Sequence, residues 1–256
     1  YYHYDVAFQV QHINRNSIAG ILLLGLERFA FRRASAVWIT SPSLMVKVKR
    51  FGARRIKIIP NWIDIKEIEE LPSFKKRSDE FRILFAGRLH RVKQVDLLIR
   101  AFYYLYKINP SVNMYILGDG EERQKLIALT NDLGLRDSIH FLGLVDRRTV
   151  FEMMKQADVF VLPSRLEGNP RVLIEAMVSK VPIVATNVPG IRDMVQHMIT
   201  GYLIDHHQPE ELARAIEYVL RNKQDSANMV KRAYAFAKHN FSKEGVSQKI
   251  FDELLL

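Results

Sequence analysis

Apolar and polar positions alternate in blocks along most of the chain, and the block lengths assign the elements. Five short apolar runs, Arg82–Ala86, Asn113–Leu117, Ser138–Leu142, Val159–Leu162 and Ile183–Thr186, have the length and β-branched content of buried strands. Between and after them the apolar residues recur at helical spacing over Val95–Ile108, Glu121–Leu133, Arg148–Ala157, Pro170–Ser179 and Glu210–Arg221. Strand and helix in strict alternation predict an α/β fold with a doubly wound parallel sheet. In such a sheet a ligand sits beyond the carboxyl ends of the strands.

The first quarter of the chain repeats the theme less completely. Val6–Gln11 reads as a strand ending at His12, Asn14–Ser17 as a polar loop, and Ile18–Ala34 as a helix. The apolar part of that helix is too short, and too soon followed by Glu27, Arg28, Arg32 and Arg33, for a membrane span. A strand at Ala36–Thr40, a helix at Pro42–Phe51, a strand at Ile56–Ile59 and the sequence Pro60-Asn61-Trp62-Ile63-Asp64 follow. The charged stretch 65–80, holding Pro72 and Ser73, reads as a linker. The last stretch, Asn228–Leu256, is helical with a break near Asn240-Phe241-Ser242. Four parts result: 1–64, a linker 65–80, a main unit 81–225, and terminal helices 226–256. So few strands before residue 64 predict an incomplete first sheet with an exposed apolar edge.

Candidate chemistry gathers at the strand ends. After Val159–Leu162 comes Pro163-Ser164-Arg165-Leu166-Glu167-Gly168-Asn169-Pro170-Arg171, then helical spacing again. Asn169 is expected to be the N-cap and Pro170 the first helical residue. The backbone N–H groups available between Gly168 and Arg171 (Pro170 has none) then face the sheet mouth, where a helix terminus suits a phosphate. Glu167 in the loop and Glu175 in the second turn border that anion site. Carboxylates are poor phosphate ligands but good acceptors for sugar hydroxyls, so the combination points to a nucleotide sugar. Gly87-Arg88-Leu89 and Lys93 follow the first strand of the main unit, where two cations can neutralise a diphosphate. Gly118-Asp119-Gly120 ends the second strand, Phe141-Leu142-Gly143 the third, and Val188-Pro189-Gly190 follows the last.

Composition narrows the field. The chain has 256 residues, 48% hydrophobic and 26% charged, ordinary values for a folded protein. With no cysteine there is neither a disulfide framework nor thiolate chemistry, which fits a reducing compartment. The absence of Met at position 1 is expected to mark an internal or processed start. The net charge of +10 is concentrated: residues 1–62 carry ten Lys/Arg against two Asp/Glu. Either these bases only solubilise, or they meet an anionic partner such as a membrane surface or phosphorylated lipid. No helix-turn-helix, zinc-finger spacing or RNP motif supports a nucleic-acid partner. No Asp-x-Asp sits near a strand end and no His/Cys/Asp cluster has metal-ligand spacing, so metal-independent chemistry is expected.

The Glu167/Glu175 pair, with Pro-Ser before it and Glu-Ala-Met and Val-Pro-Ile-Val-Ala-Thr after it, resembles the Glu-x7-Glu motif of family 4 retaining glycosyltransferases. Gly87-Arg88-Leu89…Lys93, Gly118-Asp119-Gly120 and Ile59-Pro60-Asn61-x-x-Asp64 fit the same family, over roughly residues 24–245. The resemblance implies the GT-B fold of two Rossmann-like domains, the first truncated here. It implies sugar transfer, with retention, from a nucleotide-diphosphate sugar to a hydroxyl acceptor, a glycan or a lipid-linked molecule. No separate cofactor is implied, because the nucleotide sugar is a substrate. Arg88 and Lys93 would stabilise the departing diphosphate, Glu167 would hold the donor sugar, and His12 would serve the acceptor side, with His3 its rival. Donor-binding positions would be Glu175, Gly87, Gly118, Gly120, Leu142, Gly143, Gly168, Asn169, Pro170, Arg171 and Gly190. The setting would be cytoplasmic, with peripheral contact at the inner face of the membrane. Three positions depart from the family: Asn169 replaces a frequent aromatic, Gln94 a glycine, and Pro189 one of two glycines. Two alternatives stay open: a module that binds nucleotide sugar without turnover, and a sugar-nucleotide epimerase of the same fold.

Overall fold

A computed structural model describes residues 18–72, 80–205 and 207–254, with side chains over 22–252 of that range. His12, His3 and the expected strand at Val6–Gln11 lie outside the described residues.

The apolar runs form a six-stranded, wholly parallel sheet of β3 (Phe81–Ala86), β4 (Val112–Leu117), β5 (Ile139–Gly143), β6 (Val159–Leu162), β7 (Ile183–Thr186) and β8 (Tyr202–Ile204). The spatial order is β5-β4-β3-β6-β7-β8, so the chain winds outward one way from β3, then crosses back and winds the other way from β6. That reversal is the topological switch point of a doubly wound sheet. Both faces are covered by α4 (Val95–Ile108), α5 (Arg123–Asp132), α6 (Arg147–Gln156), α7 (Arg171–Val178), the short α8 (Pro189–Arg192) and α9 (Pro209–Arg221). Burial on both sides accounts for the uninterrupted apolar runs: all four residues of β6 and of β7 are buried.

The first unit is smaller. Before β3 lie α1 (Ile18–Arg33), β1 (Val37–Ile39), α2 (Met45–Arg50) and β2 (Ile56–Ile58). β1 and β2 pair in parallel, and Phe31, Val37, Ile39, Val48 and Phe51 form a separate small core. Leu22, Leu26 and Phe29 of α1 and Val46 of α2 are each at least 60% exposed, the apolar surface expected of an incomplete sheet.

Besides the four-residue α8, two elements had no counterpart in the sequence pattern. Within the stretch read as a linker, Asp64 caps α3 (Ile65–Glu69) by accepting from the Lys66 N–H, and Ile65 and Ile68 are buried. The strand β8, three residues long, is too short for any period to register. After α9 come α10 (Lys223–Asn240) and α11 (Lys243–Leu254), broken at Phe241-Ser242. At that break Ile63 donates to the Phe241 carbonyl and its own carbonyl accepts from Lys243, tying the chain end to the end of the first unit.

Candidate functional site

The switch point lies between β3 and β6, and the two strand ends release the two loops that carry the candidate chemistry. From β3 the chain runs through Gly87 and Arg88 into a short turn, Arg91–Lys93, that His90 caps by accepting from the Val92 N–H. From β6 it runs through Arg165 to Glu167. The loops are sewn together where the Arg165 N–H donates to the Val92 carbonyl at 2.8 Å. Beside that bond Lys93 Nζ donates to Glu167 Oε1 at 2.6 Å. The Glu167 side chain is 2% exposed and that of Lys93 22%, so the cation reaches from the cavity onto a nearly buried acid.

Gln94 stands where the resembling family has a glycine. It adopts the left-handed conformation itself, with φ 48° and ψ 45°, as the residue preceding α4. The backbone turn a glycine would make freely is made here by a side-chain-bearing residue at some cost in strain.

A cavity of about 650 Å³ opens over the pair, walled by Asn61, Trp62, Gly87, Lys93, Glu167 and the residues 169–172 that lead into α7. A second cavity of about 470 Å³ shares Ala86 and Gly87 with it and is walled by Arg88, Gly118, Asp119, Leu144, Val145 and Val150. Arg88 and Lys93 therefore stand on adjoining cavities, with Arg88 exposed.

The start of α7 differs from expectation. Pro170 holds the capping position and gives no side-chain cap, and Asn169 does not cap the helix. The Asn169 Oδ1 instead accepts from the Asn61 N–H at 2.8 Å, and its carbonyl accepts from Asn61 Nδ2 at 2.6 Å. A partner outside the helix competes successfully for the amide, because Asn61 offers two donors at once to a buried residue. Pro189 opens α8, where its missing N–H interrupts no helical bond.

The glycines shape the loops by close approach. A Cβ on Gly118 would lie 2.0 Å from the Gly87 carbonyl oxygen, and one on Gly120 would lie 2.3 Å from that of Leu89. Gly190 in α8 lies against the other loop, with the Glu167 and Gly168 carbonyl oxygens each 2.4 Å from its would-be Cβ. Gly143 ends β5 and its carbonyl accepts from the Gly118 N–H at 2.7 Å. Leu142 is 42% exposed beside it. Gly168 is buried between Glu167 and Asn169.

Glu175 is not among the residues walling either cavity. It lies half-buried on α7, and burial raises its pKa above the ordinary glutamate range, with Arg147 and Arg171 partly opposing and Glu67 adding to the rise. Arg147, at the start of α6, is paired with Glu67 of α3 at 2.9 Å. Two residues in the wall of the larger cavity, Asn61 and Trp62, stand out in the sequence only as the end of the first unit. Periodicity carries no signal for them, because their placement depends on distant contacts such as that of Asn61 across 108 positions. Among the described residues no group of three or more His, Cys, Asp or Glu is placed to hold a metal ion.

A small parallel unit joined to a six-stranded Rossmann-like unit, with paired charges over the switch point, defines a GT-B-type scaffold. The chain belongs to the group 1 glycosyl transferases, whose family model matches residues 66–236. It is 33% identical over 205 residues to a D-inositol 3-phosphate glycosyltransferase of Paenarthrobacter aurescens, covering 75% of this chain and 50% of that one. It is 28% identical over 232 residues to N-acetyl-alpha-D-glucosaminyl L-malate synthase of Bacillus anthracis, covering 88% and 60%. Anabaena HepE, solved in complex with UDP-glucose, superposes with a TM-score of 0.83 at 25% identity, covering 98% of this chain and 70% of that one. The chain spans about half the length of the curated relatives it matches. No helix among the described residues is long and apolar enough to cross a membrane.

Proposed function

We propose that the protein transfers a sugar from a nucleotide-diphosphate donor to a hydroxyl acceptor, a glycan or lipid-linked molecule, with retention of configuration. The observation that carries this is the Lys93–Glu167 pair at the switch point, beside Gly87 and the first turn of α7. Arg88, Lys93 and the backbone N–H groups of Gly168, Asn169 and Arg171 compensate the leaving diphosphate without a metal, concentrating the stabilisation where charge develops in the transition state. Glu167 orients the donor sugar through its hydroxyls, and Glu175 accepts from the ribose. His12 orients the acceptor. We assign the basic residues of 1–62 to an anionic acceptor at the inner membrane face. The Paenarthrobacter relative is named for a phosphorylated substrate, which favours an anionic acceptor, and HepE was solved with UDP-glucose, so UDP donors are tested first.

Thermal shift against a panel of nucleotide sugars, paired with a donor-hydrolysis assay in EDTA, tests the proposal. Stabilisation by a nucleotide sugar with metal-free hydrolysis or transfer supports it. Binding without turnover supports the second reading, a binding module. No stabilisation by any donor refutes both.

A further inference from the structure

The larger cavity has a wall of mixed polar and apolar character, and among the described residues that line it Trp62 is the single aromatic. Trp62 is 38% exposed, an unusual condition for a tryptophan flanked by fixed backbone. The backbone on each side of it is pinned. Asn61 is held to Asn169 by two hydrogen bonds, and Ile63, fully buried, is held to Phe241 and Lys243 by two more. Asp64 adds an ion pair to Lys243 at 3.6 Å. The indole is thus carried on a rigid strap that runs from the first unit across the mouth of the second. It faces the cavity that also holds the Lys93–Glu167 pair.

We propose that Trp62 is the stacking platform for the pyranose ring of the donor, and so a determinant of which sugar is accepted. This rests on the donor reading above. A pyranose presents hydroxyls around its rim and C–H groups on its faces. The hydroxyls find Glu167 and Asn169, but a C–H face needs an apolar partner, and the electron-rich face of an indole attracts those weakly positive hydrogens. Because the strap is already ordered, little conformational freedom is lost when the ring docks. The nucleoside diphosphate alone has no pyranose and makes no use of the platform.

The test compares Trp62→Ala and Trp62→Phe with the wild-type full chain, using calorimetry with UDP, GDP, ADP and dTDP and with their hexose conjugates. With the conjugate that binds, Trp62→Ala is expected to weaken affinity roughly tenfold while leaving the matching diphosphate within about twofold, and Trp62→Phe to restore most of the loss. The chain has two tryptophans, so Trp38→Phe leaves Trp62 as sole reporter, and its emission should shift with the conjugate more than with the diphosphate. Equal weakening of both ligands, or of neither, overturns the platform while leaving the donor reading intact. If no diphosphate binds the wild-type chain, the donor reading fails and the platform with it.

Discussion

Lys93 and Glu167 lie 74 positions apart in sequence and 2.6 Å apart in space, joined across the point where the sheet reverses its winding. The acid is nearly buried and the base only partly so, which makes the pair asymmetric. Lys93→Met strands a carboxylate in the interior. We expect a loss of about 2–3 kcal/mol, below the range for a fully buried pair because the ammonium reaches solvent. Urea denaturation measures it. The double variant with Glu167→Gln should recover part of that loss, and a strictly additive double variant would show that the pair does not couple.

Glu175 sets a pH dependence. Burial raises its native pKa above the unfolded value, so its contribution to stability is full below the unfolded pKa and is lost as pH rises through the raised native one. Its proposed task, accepting from a hydroxyl, needs the carboxylate. Acidification should therefore weaken nucleotide binding from a pH above the usual glutamate range while that part of the stability increases. Glu175→Gln should flatten both profiles, as followed by calorimetry and thermal melts between pH 4 and pH 8 (about the span of ordinary glutamate and histidine titration). A wild-type binding profile flat across that window contradicts the assignment.

Close approach predicts which glycines tolerate a methyl group. Gly118→Ala and Gly190→Ala drive a carbon into main-chain oxygens 2.0 and 2.4 Å away, and each should cost about 2–3 kcal/mol or more and distort the neighbouring loop. Gly134 also has positive φ, but a Cβ there meets nothing within 4 Å. Gly134→Ala should cost only about 1 kcal/mol. Equal costs at all three, read from chemical denaturation, would refute the packing explanation.

Gln94 offers the opposite experiment. It holds a left-handed conformation with φ 48° next to Lys93. Gln94→Gly removes the Cβ strain, partly offset by the greater freedom of glycine in the unfolded chain, and should stabilise by about 0.5–1 kcal/mol. A raised melting temperature with unchanged ligand affinity is the expected result; a lowered one would mean that the Gln94 side chain contributes packing that outweighs its strain.

The sequence by itself determined the α/β class, the five longer strands and the helices between them, since continuous apolar runs and helical spacing are local properties. It also placed Gly87, Arg88, Lys93 and Glu167 at strand ends, and a parallel sheet brings strand ends to one rim whatever the details. The tertiary structure alone decided what those residues meet. Asn169 has the chemistry of an N-cap, and only the arrival of Asn61 from 108 residues away diverts its amide. Glu175 reads from the sequence as an acid bordering the anion site, and only the packing of the fold, which brings Glu67 of α3 and Arg147 of α6 near it, takes it out of water. Trp62 has the same letter whether it fills a core or faces a cavity. Its place follows from the pinning of Asn61 and Ile63 by distant segments, and long-range contacts of that kind leave no period in the chain that makes them.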